Sequence, residues 1–143
     1  EALQGQLEGL QADAFWQGLE QHYVRVMQRL ISEERFRKFS TVMHLKCEMT
    51  ESNAQVVALI NQYRHTWIQS TENIVALAVK VGALPKQTDI VLTTRLLCSL
   101  LVGIMVTFLG EFEEKRDMSK VVSPAPFLAH ILRLVQQSPI LCN

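Results

Sequence analysis

The chain has 143 residues and carries 14 basic and 14 acidic side chains, so its formal net charge is zero. Phosphate binding needs concentrated Lys and Arg, and no dense basic run is present, which excludes a nucleic-acid surface within this sequence. With 48% apolar and 20% charged residues, the composition is that of a globular domain with a generous core, and the length fits one domain over residues 1–143.

The opening EALQGQLEGL reads as the inside of a helix, so the sequence is expected to be a fragment of a longer protein. Asp13 is expected to cap a helix whose Phe15, Leu19, Tyr23, Val26, Met27 and Leu30 fall on one stripe at spacings of three and four. Ser32 reads as the next N-cap, with Glu33 and Glu34 in a first turn where the helix dipole favours acids. Phe36, Phe39, Val42 and Met43 are expected to point inward from this helix, which ends near Cys47 to Met49.

A long helix is expected from about Ser52 to Val81, repeating Val56, Ile60, Tyr63, Trp67, Thr71, Ile74 and Ala78 along one face. Gly82 supplies a left-handed C-cap, and Pro85 blocks continuation. Thr88 is expected to open another long helix running to about Glu113. Its second half is apolar nearly all round, so both faces must be covered. The unbroken apolar run from Leu96 to Gly110 is shorter than the roughly twenty residues that a membrane-spanning helix needs, which predicts a core or interface helix. Glu114 to Val122 reads as a polar loop. Ser123 and Pro124 then form an N-cap and N1 pair, and the last helix presents Phe127, Ile131, Leu134 and Val135 before Ser138 and Pro139 stop it. No segment shows sustained strand-like alternation, so the fold class is all-α with about six helices.

Chemical motifs are sparse. Cys47, Cys98 and Cys142 are odd in number and widely spaced, which fits neither a disulfide framework nor a paired-cysteine metal motif, and points to a reducing cytoplasm. No secretory-signal pattern is present. His44 and Cys47 share a helix face, yet a zinc site needs three or four ligands and no further pair completes one, so no metal is expected. The acid pairs Glu33/Glu34 and Glu113/Glu114 border helix ends without the apolar surroundings that raise a catalytic carboxylate's pKa. No cofactor motif and no convergent acid-base set argue for an enzyme. Large amphipathic side chains do concentrate on adjacent helices: Trp16, His22 and Tyr23, then His44, then Tyr63, Arg64 and Trp67. Each alone reads as core. Together they match a ligand pocket, mostly apolar with a few polar groups.

The run FRKFSTVMHLKCEMTESNAQVV, the turn VGALP and the helix segment LLVGIMVTFL resemble the C-terminal part of TetR-family transcriptional repressors, more narrowly the AcrR-like group that controls multidrug efflux. The likeness extends from about Asp13 to Asn143. It implies a bacterial, cytoplasmic regulatory domain that binds a hydrophobic or amphipathic inducer and forms a homodimer. Operator DNA would be read through an N-terminal helix-turn-helix domain that this sequence lacks. The implied pocket takes Leu19, His22, Tyr23 and Val26 from one helix, Ser40 and His44 from the next, and Arg64, Trp67 and Thr71 from the long one. Cys98, Leu101, Val102 and Val106 complete it. Some relatives carry an acid where Val102 stands, so a preference for dications is not implied unless Glu8 supplies the charge. The implied dimer is a four-helix bundle joining Leu100, Gly103, Ile104 and Thr107 to Phe127, Ile131 and Leu134, with Gly103 permitting close helix approach. The helix ended by Cys47 would be the lever of a ligand switch. The competing reading is a helical protein-interaction module without a small-molecule ligand, in which Trp67, Tyr23 and Met27 fill the interior.

Overall fold

In the computed structural model, which describes residues 2–46, 50–115 and 123–142, helix is the dominant structure from the first residues onward. The α-helices are α1 (Ala2–Leu7), α2 (Ala12–Ser32), α3 (Glu34–Thr41), α4 (Ala54–Lys80), α5 (Ile90–Lys115) and α6 (Ala125–Gln137). A π-helical turn over Val42–Lys46 follows α3, and a single 3₁₀ turn over Glu51–Asn53 precedes α4. Among the described residues the sole strand-like feature is an isolated antiparallel bridge between Thr88 and Leu141. The protein is all-α, as its periodicity predicts.

The stripe of α2 buries Phe15, Trp16, Leu19, Tyr23, Met27 and Leu30, while Val26 is half-buried. The helix starts two residues earlier than an Asp13 cap requires: Gln11 holds the extended N-cap position and Asp13 lies in the first turn, where the dipole still favours its charge. At the other end Ser32 is the last residue of α2, not the cap of α3. Its hydroxyl donates back to the Gln28 carbonyl at 3.0 Å, and the break falls on Glu33, whose backbone is extended. Arg37 stabilises this corner by donating to the carbonyls of Leu30 and Ile31 at 3.0 and 2.8 Å, which the helix end leaves without intrahelical partners.

Beyond this corner Ser40, Thr41 and Met43 are buried, whereas Phe39 and Val42 are each 48% exposed. The expected inward face of α3 is therefore displaced. A π-turn has more residues per turn than an α-helix, so the period no longer holds at Val42, whereas Phe39 precedes the turn and its exposure is not explained by it. The expected helix end at Cys47 to Met49 lies outside the described residues.

The turn after α4 follows its sequence signals closely. Gly82 adopts φ 77°, and the N–H groups of Gly82 and Ala83 donate to the carbonyls of Val79 and Ala78 at 3.2 and 2.8 Å, closing the helix end. Thr88 does not open α5. Its hydroxyl donates to the Pro85 carbonyl at 2.7 Å, and Asp89 Oδ1 accepts the Leu92 N–H at 2.9 Å in the capping role. The C-terminal tail adds to this turn: Asp89 N donates to Ile140 O at 2.7 Å and Cys142 N to Gln87 O at 2.8 Å.

Helix α5 continues through Lys115, so Glu114 and Lys115 belong to it, and residues 116–122 of the expected loop lie outside the described residues. Its stretch Ile90–Glu114 is 25 residues long and holds an 18-residue window of mean hydropathy 2.1, which is long and apolar enough to cross a membrane. The length argument drawn from the shorter run from Leu96 to Gly110 therefore does not stand. Helix α6 begins at Ala125, one residue later than a Pro124 N1 position, with Ser123 Oγ accepting the Ala125 N–H at 3.4 Å. The core gathers Phe15, Leu19 and Leu30 of α2, Leu97 and Leu109 of α5, Leu128 and Val135 of α6, with Ile74 and Ala78 of α4. Leu7 anchors α1 against α2, 2.9 Å from where a Cβ on Gly18 would stand.

Candidate functional site

Helix α4 packs on α5, and α3 packs on α2. The space between them is a cavity of about 660 Å³, within the usual range for small-molecule sites. Tyr23, Val26 and Met27 of α2 form one side and Phe36, Phe39 and Ser40 of α3 another, with Met43 and His44 contributed by the π-turn. Helix α4 adds Tyr63, Arg64, Trp67 and Ile68, and α5 adds Cys98, Ser99 and the segment from Leu101 to Val106 except Ile104. Phe39 and Tyr63 meet edge-to-face with ring centroids 6.3 Å apart, joining α3 to α4.

All the expected lining residues except Leu19, His22 and Thr71 lie on this wall. Leu19 is 1% exposed within the core. His22 stacks edge-to-face on Tyr23 at 5.5 Å, turned away by its position one residue before the tyrosine. Thr71 is buried one turn beyond Trp67, and its hydroxyl donates to the Trp67 carbonyl at 2.9 Å. Met27, Phe36, Phe39, Met43, Ile68, Ser99, Gly103 and Met105 line the cavity without having been expected there. The periodicity of α3 assigns its phenylalanines to the core, and nothing in a sequence distinguishes a core wall from a cavity wall.

Electrostatically the wall is one-sided. Among the described residues Arg64 is its single formally charged side chain and no Asp or Glu lines it. Glu8, a possible source of negative charge, instead lies 3.9 Å from Lys80 Nζ, a pairing away from the cavity residues. Burial holds the His44 pKa below its ordinary value, and the nearby Arg64 guanidinium lowers it further. Burial also pushes the Tyr23 hydroxyl and the Cys98 thiol up, although the Thr71 hydroxyl opposes both shifts. At neutral pH the polar groups on the wall are thus neutral hydrogen-bonding partners, apart from Arg64. Among the described residues no group of three or more His, Cys, Asp or Glu side chains is arranged to hold a metal ion.

A second feature lies on the other side of α5. Leu92 and Leu96 are exposed and Leu100 and Ile104 half-buried, a stripe at intervals of four that exposed Thr107, three residues on, extends. On α6, Phe127 and Leu134 are 56% and 47% exposed. Ile131, also expected at an interface, is buried against the chain's own core. Gly103 faces the cavity, and a Cβ placed there meets nothing within 4 Å, so no close helix approach within the chain depends on it.

No protein-family model matches the chain, and no curated protein shows significant sequence similarity to it.

Proposed function

We propose that this chain is the effector-binding and dimerisation domain of a TetR-type, AcrR-like transcriptional repressor. It takes up a hydrophobic or amphipathic small molecule and, in the intact regulator, relieves repression of an efflux operon in the bacterial cytoplasm. The observation that carries this reading is the cavity walled by α2, α3, α4 and α5, with aromatic and aliphatic side chains around a few polar groups. Occupancy would bias the position of α3 and its π-turn, because a ligand shifts an equilibrium only by binding one state more tightly. DNA contact would belong to a separate helix-turn-helix domain, and the cavity carries no catalytic role. The exposed apolar stripe of α5 with Phe127 and Leu134 of α6 would pack against a second copy as a four-helix bundle.

The same stripe favours one other reading, a helical dimeric interaction module with no small-molecule ligand. Melting temperature measured across hydrophobic cations, bile acids and planar phenolics separates the two. A ligand that binds the folded state raises the melting temperature, so a clear rise with one class supports the sensor. No rise with any compound transfers the assignment to the interaction module.

A further inference from the structure

Among the described residues the cavity wall combines a large apolar area with a single cation and no anion. Arg64 stands on α4 one turn before Trp67, and no carboxylate among the described residues lies within ion-pair distance of its guanidinium. Carboxylates on other faces have their own partners: Glu113 with Lys46 at 2.9 Å and Glu34 with Lys38 at 2.7 Å. Across from Arg64 the π-turn presents His44, with Ser40 one turn earlier and Ser99 on α5 also on the wall.

An apolar cation entering this space would give up its hydration against a surface that offers no compensating negative charge, and it would meet Arg64 at close range. Desolvating an unpaired charge is strongly unfavourable. An apolar anion has the opposite balance. Its headgroup can accept charge-assisted hydrogen bonds from the guanidinium, which presents donors in a planar fork suited to carboxylate or sulfonate oxygens. Its body can lie against Trp67, Tyr23 and Met27.

We infer that the cavity selects amphipathic monoanions, an apolar body bearing one carboxylate or sulfonate, with Arg64 as the headgroup partner. This inference rests on the cavity being a ligand site, and it adds the charge that the ligand must carry. Neutral His44 is well placed to respond, because an anion beside it favours its protonated form and opposes the depression caused by burial and Arg64.

The test uses three fluorescent probes with the same body and different heads: pyrenebutanoate, pyrenebutanol and pyrenebutylammonium. Binding is followed by energy transfer from the protein's tryptophans and by pyrene anisotropy. The expected order of affinity is anion, then alcohol, then cation. Arg64→Gln should weaken pyrenebutanoate about tenfold, the scale of one charged hydrogen bond, and leave pyrenebutanol unchanged. Arg64→Lys should restore part of the loss. Arg64 is exposed, so these variants are expected to fold, and circular dichroism checks that they do. Binding of all three probes with equal affinity, or tightest binding of the cation, overturns the charge selection while leaving the ligand site standing. Failure of all three to bind overturns both.

Discussion

The indole N–H of Trp16 donates to the backbone carbonyl of Ala83 at 3.1 Å, a buried bond between residues 67 positions apart. It ties the first turns of α2 to the Gly82 turn that joins α4 to α5, and so fixes the closed end of the helical array opposite the cavity. Trp16→Phe keeps most of the apolar volume but leaves the Ala83 carbonyl without this partner. A loss of about 1–3 kcal/mol is expected, the cost of an unsatisfied buried acceptor. Urea unfolding followed by circular dichroism measures it, and an unchanged midpoint would show that the carbonyl finds another donor.

Trp67 is half-buried and faces the cavity, not the closed core. Trp67→Ala should therefore weaken pyrenebutanoate binding about tenfold while moving the unfolding midpoint much less than Trp16→Phe does. Pyrene anisotropy provides the affinity. Undiminished binding would remove Trp67 from the ligand contact.

On the outer side of α6, Leu134 is 47% exposed. If the proposed dimer forms through this face, Leu134→Glu should leave the fold intact and convert dimer to monomer in sedimentation, because a charge within an apolar interface would not be compensated there. Leu100→Glu, on the facing stripe of α5, should do the same at a greater cost in stability, since Leu100 is partly packed on the core. A dimer that survives both substitutions locates the contact elsewhere.

Two half-buried histidines predict an acid-side loss of stability. Burial lowers the pKa of His22, helped by Arg25, and that of His44, helped by Arg64. In the unfolded chain both titrate near the ordinary value of 6.5. Between that value and the lower folded values the unfolded state binds more protons, so stability falls as pH falls through this window and is unaffected by these groups above it. The double variant His22→Gln with His44→Gln should show a shallower decline of melting temperature below pH 6.5. A decline as steep as in the parent chain would assign the acid sensitivity to carboxylates.

Gly82 holds φ 77° with nothing within 4 Å of a Cβ placed on it. Gly82→Ala thus meets no steric obstacle but must take a left-handed backbone. A destabilisation of about 1 kcal/mol is expected, read as a lower chemical-denaturation midpoint.

Much of this architecture is legible in local chemistry. The intervals of four that bury Phe15, Leu19, Tyr23 and Met27 repeat the helical period, and the Gly82 and Pro85 pair ends α4 because few other residues accept that backbone. The errors cluster where a distant partner intervenes. Asp89 caps α5 in place of Thr88, in a turn that the tail carbonyl of Ile140 also engages. The π-turn from Val42 breaks the helical period on which the inward placement of Val42 rests, and Phe39, still within α3, is exposed at the cavity wall.

The cavity lies beyond such reasoning for a physical reason. Hydrophobicity along a chain records which side chains avoid water, and the rings of Tyr23, Phe36 and Trp67 satisfy that demand equally well by packing together or by walling an empty volume. The relative placement of α2, α3, α4 and α5 chooses between these outcomes. That placement also leaves Arg64 at the wall and pairs Glu8 with Lys80 on another surface, so the charge of the cavity is a property of the assembled helices.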